Sequence, residues 1–241
     1  MKMELDLLQV IEKIWTENVF QDVVEDRIWM EADLVASFYH HIRDFLEKIG
    51  MHIYLEDRPF AVKKLEGVFD KSKTRNKFDG TIFKKYPNNP QAGLEFKHFG
   101  GSYPPGNKQL IEVIGKDIQK LNDFKEYEQV YKEKYPKEKL DILKLFFYIN
   151  RFHNPYVNCD NCKKKVRLKT PKDGSKCCLG EKNLISLLKE IKSDEELNGI
   201  YVFYGYCPTH VKKDFSEAYK EDLENGNNWE HWWGMKEGSK I

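Results

Sequence analysis

Two short apolar segments joined by a turn limit this chain more than any other feature. Phe78-Asp79-Gly80-Thr81-Ile82-Phe83 and Gly93-Leu94-Glu95-Phe96-Lys97 both read as strands. Lys84-Lys85-Tyr86-Pro87-Asn88-Asn89-Pro90 between them reads as a turn. Strands joined this closely are antiparallel neighbours, so Asp79, Glu95 and Lys97 can converge at one end of a hairpin. Glu95 and Lys97 stand two residues apart and share a face, with Leu94 and Phe96 on the other. Two carboxylates and an ammonium on one surface suit a hard divalent cation and attack on phosphate. If helices cover both faces of the sheet, these charges need a purpose. If one face is solvated, Glu95 and Lys97 are a surface ion pair worth little.

The flanking sequence supplies helices. Leu5 to Val19 has a weak helical pattern. From Trp29 to Ile49, Leu34, Phe38, Ile42, Phe45 and Ile49 form one apolar stripe, and Gly50 makes a stop. Glu31 lies three residues before Leu34 and seven before Phe38, on the same face. A carboxylate there is costly unless it is paired or metal-bound, or it complements the helix dipole. Glu25 lies before the periodic segment and is harder to place. His52 to Leu55 reads as a strand, and residues 57–76 mostly as loop. The hairpin strands are expected over Asn76 to Tyr86 and Ala92 to His98. The run from Phe99 to Asn107, rich in glycine and proline, is expected to be a loop beside the site. A helix from about Lys108 to Val130 would turn Leu110, Ile114, Ile118 and Leu121 inward, and Leu143 to Ile149 is an apolar strand. The order is α-β-β-β-α-β, an α/β class.

After Asn150 the character changes to cysteines, lysines and turn residues. A helix from Glu181 to Lys192, a strand from Ile200 to Tyr206 and a helix from Lys212 to Leu223 are expected. The aromatic run Trp229 to Trp233 follows, suited to docking on the core or to stacking on bases. Residues 1–150 therefore read as a core and 151–241 as a C-terminal region packed on it. At 241 residues and 40% hydrophobic, the chain can bury a core. One third of it is charged, yet the net charge is only +1, so any nucleic acid must be met by a local patch. No apolar run reaches the ~18 residues of a membrane span. The acidic, interrupted start is unlike a signal peptide, so a soluble cytoplasmic protein is expected, with no membrane partner.

All five cysteines lie between Cys159 and Cys207. Cys159-Asp160-Asn161-Cys162 and Cys207-Pro208-Thr209-His210 are two chelating spacings that together offer a Cys₃His set for structural Zn²⁺. Cys177 or Cys178 is an alternative ligand. Buried thiols or a redox pair would be the other readings.

Asp79, fifteen residues, then Glu95-x-Lys97, with a helical glutamate upstream and the α-β-β-β-α-β order, resembles the PD-(D/E)XK nuclease superfamily over roughly residues 25–150. Phe78 stands where the superfamily often has proline. The resemblance implies a restriction-endonuclease-like fold with a central mixed sheet of four to five strands. It implies that Asp79, Glu95 and the Phe96 carbonyl hold Mg²⁺ or Mn²⁺. Lys97 would orient or help deprotonate the attacking water, and Glu31 would complete the site as a ligand or through a water. Lys116 or Lys120 could approach the phosphate from the following helix, and the residues do not choose between them.

Lys73, Arg75 and Lys77 lead into Asp79 and could engage phosphates, unless they are solvated loop charges. Lys163 to Lys169 forms a second basic run. The expected function is a metal-dependent endonuclease acting on double-stranded DNA in restriction, repair or defence. RNA cleavage, or a catalytically inactive nucleic-acid- or protein-binding module with the same fold, are the alternatives. A homodimer is one arrangement such a nuclease could take.

Overall fold

The computed structural model describes residues 2–25, 27–59, 76–86, 89–101, 107–136, 140–152, 156–158, 165–167, 197–208 and 233–237. Helix α1 (Lys2–Lys13) runs through a π-helical segment (Ile14–Val19) into α2 (Phe20–Val24), and α3 covers Glu31–Lys48. Strands β1 (His52–Asp57), β2 (Phe78–Lys85) and β3 (Asn89–Gly101) precede α4 (Asn107–Lys134). Then come β4 (Leu143–Phe152), β5 (Tyr156–Asn158), β6 (Lys165–Arg167), β7 (Ile200–Pro208) and β8 (Trp233–Glu237).

The main sheet has six strands in the order β1-β2-β3-β4-β7-β8, and β5 and β6 form a separate antiparallel pair. The pairings β1–β2, β2–β3 and β7–β8 are antiparallel, while β3–β4 and β4–β7 are parallel. An α/β fold with a mixed sheet is thus as expected, but four to five strands is corrected to six. The missed strand is β8, whose short sequence carries no alternating pattern of its own. It exists because its neighbour leaves room for it. A side chain at Gly205 would meet the Trp233 ring at 2.3 Å, and one at Gly234 would meet the Tyr204 hydroxyl at 2.8 Å. These residues are direct cross-strand partners, so each glycine accepts the aromatic ring opposite.

Trp233 also ties the far edge of the sheet to the first helix. Its indole stacks on Trp15 with centroids 4.7 Å apart and donates to the Trp15 carbonyl at 2.9 Å. Trp15 in turn donates to the Tyr204 carbonyl at 3.3 Å. Trp15 lies in the π-helical segment, whose carbonyls are spaced differently from an α-helix. The residue-150 boundary falls inside β4, and β7 and β8 belong to the same sheet as the hairpin.

Helices cover both faces. α3 lies against β1 and β3, and α4 against β3 and β4. Strand alternation sorts the side chains: Leu94, Phe96, Leu145 and Phe147 join the core under α1–α3, while Phe146 and Tyr148 join Ile114, Ile118, Leu121 and Phe124 of α4. The buried stripe of α3 is Leu34, Phe38, Ile42 and Leu46, not the expected continuation through Phe45 to Ile49. Phe45 is only partly buried and Ile49 is exposed, because a 3.6-residue period brings Leu46 under Ile42. Gly50 follows the helix with a φ of +70°, the left-handed conformation that glycine takes without strain. No helix among the described residues is long and apolar enough to cross a membrane.

The expected helices at 181–192 and 212–223 lie outside the described residues, as do Trp229 and Trp232.

Candidate active site

The ladder between β2 and β3 ends at Gly80↔Leu94, one residue short of Asp79 and Glu95. Beyond it β2 continues beside β1, with Asp57 opposite Phe78, and β3 continues beside β4. The Phe96 backbone N–H, released from that ladder, donates instead to Asp79 Oδ2 at 2.7 Å. The carboxylate of Asp79 therefore sits where the two strands part.

Glu95 is fully buried, on the α4 side of the sheet, opposite to Leu94 and Phe96. Helix α4 comes unusually close there, because a side chain at Gly93 would meet the Phe124 ring at 2.0 Å. That closeness lets Lys120 of α4 reach Glu95 Oε2 at 2.6 Å. Lys120 also meets Asp117 Oδ1 at 3.2 Å and the Lys77 carbonyl at 3.2 Å, one contact for each of its three N–H donors. Glu95 Oε1 is buried with no hydrogen-bond partner.

Lys97 lies further along β3 and is mostly buried. Its ammonium meets Glu31 at 3.2 and 3.3 Å and Asp117 Oδ2 at 3.2 Å. Glu31 is the first residue of α3, so it both complements the helix dipole and pairs with Lys97. Its side chain remains 40% exposed, against 7% for Asp117 and 0% for Glu95.

The assembled charges do not balance. Four carboxylates (Glu31, Asp79, Glu95, Asp117) face two ammonium groups (Lys97, Lys120), an excess of two negative charges when all are ionised. Burial, then the nearby Asp79 and Asp117, push the Glu95 carboxyl well above the usual range, against the pull of Lys120. Burial also raises Glu31, helped by Asp79 and opposed by Lys97. Burial alone would lower both lysines. Asp117, Glu31 and Asp79 more than offset this at Lys97, and Glu95 and Asp117 do so at Lys120, so both pKa values rise. Such a site is relieved by a proton or by a divalent cation.

The side-chain ligand atoms present are oxygens, the type a hard cation prefers, and Glu95 Oε1 is buried without a hydrogen-bond partner. Among the described residues no three His, Cys, Asp or Glu side chains stand together as a ready cage. Lys97 lies between Glu31 and Asp117, and Lys120 between Glu95 and Asp117.

Compared with known protein families, with curated proteins and with solved structures, the chain matches none.

Glu31, Asp79, Glu95 and Lys97 are thus brought together in space. Of the two α4 lysines, only Lys120 joins them. Lys116 is 71% exposed and pairs with Glu112 one turn away. Lys77 turns its ammonium outward to Glu56 at 3.1 Å, while its carbonyl holds Lys120. Lys73 and Arg75 lie outside the described residues, as do Cys159, Cys162, Cys177, Cys178 and His210. Cys207 lies in β7, in register with Arg151 of β4.

Asp117 was not among the expected site residues. A usable signal was present: it lies three residues after Ile114 and four before Leu121, beside the inward stripe of α4. Glu31 on α3 and Asp117 on α4 are both carboxylates set beside the apolar stripe of their helix.

Proposed function

We propose that this chain is a metal-dependent endonuclease of the PD-(D/E)XK type. The observation that carries the reading is Glu95: a buried carboxylate with one oxygen orphaned, inside a cluster with surplus negative charge. Asp79 and Glu95 would hold Mg²⁺ or Mn²⁺, a count of protein carboxylates that suits Mg²⁺. An extended residue turns its N–H and C=O to the same side, so the Phe96 carbonyl shares the edge on which its N–H meets Asp79. Bound there, the cation supplies charge neutralisation for an anionic phosphodiester.

The protein's own groups do the rest. Three carboxylates keep Lys97 cationic despite burial, so it acts as a positive donor to developing phosphate charge and not as a base. Glu31, 40% exposed and paired with Lys97, is the residue that could orient a water. DNA is preferred to RNA on the resemblance of Asp79 and Glu95-x-Lys97 to that superfamily, which also leaves restriction, repair and defence open. Structural zinc at Cys159, Cys162, Cys207 and His210 belongs to the same reading and rests on the two chelating spacings. Elemental analysis finding less than about half an equivalent of zinc per chain would remove it.

The rival reading is a binding module that keeps the fold without the chemistry. It is favoured by the lysines that pair with most of the carboxylates. Incubation of single- and double-stranded DNA and RNA with Mg²⁺ or Mn²⁺ separates the two. Cleavage by the wild type that is lost in Glu95→Ala and Lys97→Ala supports the enzyme, and equal inertness of all three proteins supports the module.

A further inference from the structure

The geometry points to Lys120 as a resident counter-ion that competes with a divalent cation for Glu95 and is displaced when the ion binds. The inference rests on the reading of Glu95 as a metal ligand. It concerns a competition inside the site and not the cleavage reaction.

The Lys120 ammonium is surrounded by oxygen alone: Glu95 Oε2 at 2.6 Å, Asp117 Oδ1 at 3.2 Å and the Lys77 carbonyl at 3.2 Å. An all-oxygen surround is what a hard divalent cation selects. The shortest of these contacts takes one of the two Glu95 oxygens, and the other stays buried without a partner. An ion approaching Glu95 therefore meets a carboxylate already half engaged by a fixed positive charge. A divalent cation on Oε1 and an ammonium on Oε2 of the same carboxylate repel each other, so the arrival of the ion weakens the Lys120 contact. The ammonium has somewhere to go, since Asp117, one turn back on the same helix, still accepts it.

Lys116 provides the internal control. It sits on the same helix and carries the same charge, but it is exposed and, among the described residues, pairs with Glu112 alone. A general effect of removing a positive charge from α4 would appear at both positions. Displacement would appear only at Lys120.

The test is calorimetric titration of the full chain with Ca²⁺ and with Mn²⁺, without nucleic acid, at about pH 8.5, where protons compete least for carboxylates. Lys120→Met is expected to bind about tenfold more tightly than wild type, the value of one charge-assisted contact that no longer has to be broken. Lys116→Met is expected to bind as wild type does, and Glu95→Gln to lose binding. If Lys120→Met does not fold, as judged by its melting curve, Lys120→Gln removes the charge while keeping a hydrogen-bond donor, and the same tightening is expected. Equal affinity in wild type and the Lys120 variants, with Glu95→Gln still deficient, overturns displacement and leaves the metal site standing. Equal tightening in Lys116→Met also overturns it. Absence of binding in every form, or binding indifferent to Glu95→Gln, overturns the metal-site reading itself.

Discussion

Helix α4 carries one member of each of two buried lysine–glutamate pairs, and they differ in a way that separates scaffold from site. At one, Glu128 of α4 meets Lys144 of β4 at 2.9 and 3.1 Å and accepts the Ile142 backbone N–H at 2.5 Å. Both carboxylate oxygens are engaged. At the other, Lys120 of α4 meets Glu95 of β3 at 2.6 Å, one glutamate oxygen has no partner, and Asp79 and Asp117 add negative charge. The first pair is satisfied and pins the start of β4 to α4. The second is left short of positive charge in a place where water cannot make up the difference. Buried ion pairs are weak evidence for stability in general. The one with an unmet requirement is the one to examine for chemistry.

The widest separation between the pairs is expected in catalysis. Glu95→Gln should lower phosphodiester cleavage at least about a thousandfold, the scale of losing a main electrostatic contributor in a water-excluded site. Glu128→Gln should cleave at a rate close to wild type. A comparable loss in both would mean that the pairs are alike, and the distinction would fail. Stability should invert the order. Glu128→Ala leaves Lys144 buried without a partner and should cost about 3 kcal/mol in denaturant unfolding. Glu95→Gln should cost far less, because it removes a charge that the fold holds at a disadvantage.

The pH response sharpens the same contrast at smaller scale. Burial, then Asp79 and Asp117, raise the folded-state pKa of Glu95 above its unfolded value of about 4.3. A carboxyl raised on folding binds its proton more tightly in the native state. Its contribution to stability is therefore complete below about pH 4.3 and is lost as the pH rises through the folded value. Metal-free wild type should melt progressively lower across that window. Glu95→Gln should flatten most of the slope, with the remainder due to Glu31, which is raised in the same sense. A slope unchanged in Glu95→Gln would place the burden elsewhere. The smallest effect belongs to Lys116→Ala. Its exposed pair with Glu112 should contribute less than about 0.5 kcal/mol, and chemical denaturation should barely register the change.

Much of this arrangement was legible residue by residue. The alternation Leu94-Glu95-Phe96-Lys97 predicts two faces, and the structure has those two faces. The apolar spacing of α3 predicts that Glu31 faces inward, and it meets Lys97. On α4 the spacing does not choose between Lys116 and Lys120; the structure leaves Lys116 exposed and brings Lys120 to Glu95. β8 was not legible, because Trp233 becomes part of a strand only where Gly205 leaves space for its ring. The cysteine spacings still rest on sequence alone.

Local periodicity was enough to assign faces, since the direction of a side chain in a strand or helix follows from the backbone repeat within a few residues. It was enough to put Asp79, Glu95 and Lys97 within reach of one another, since a short turn allows little else. Partner choice lay beyond it. That Lys120 engages Glu95, that Asp117 bridges two lysines, and that one oxygen of Glu95 is left unmet all depend on how closely α4 crosses β3. That approach is set by Gly93 and Phe124, which are 31 residues apart in the chain and in contact only once the sheet and helix have packed.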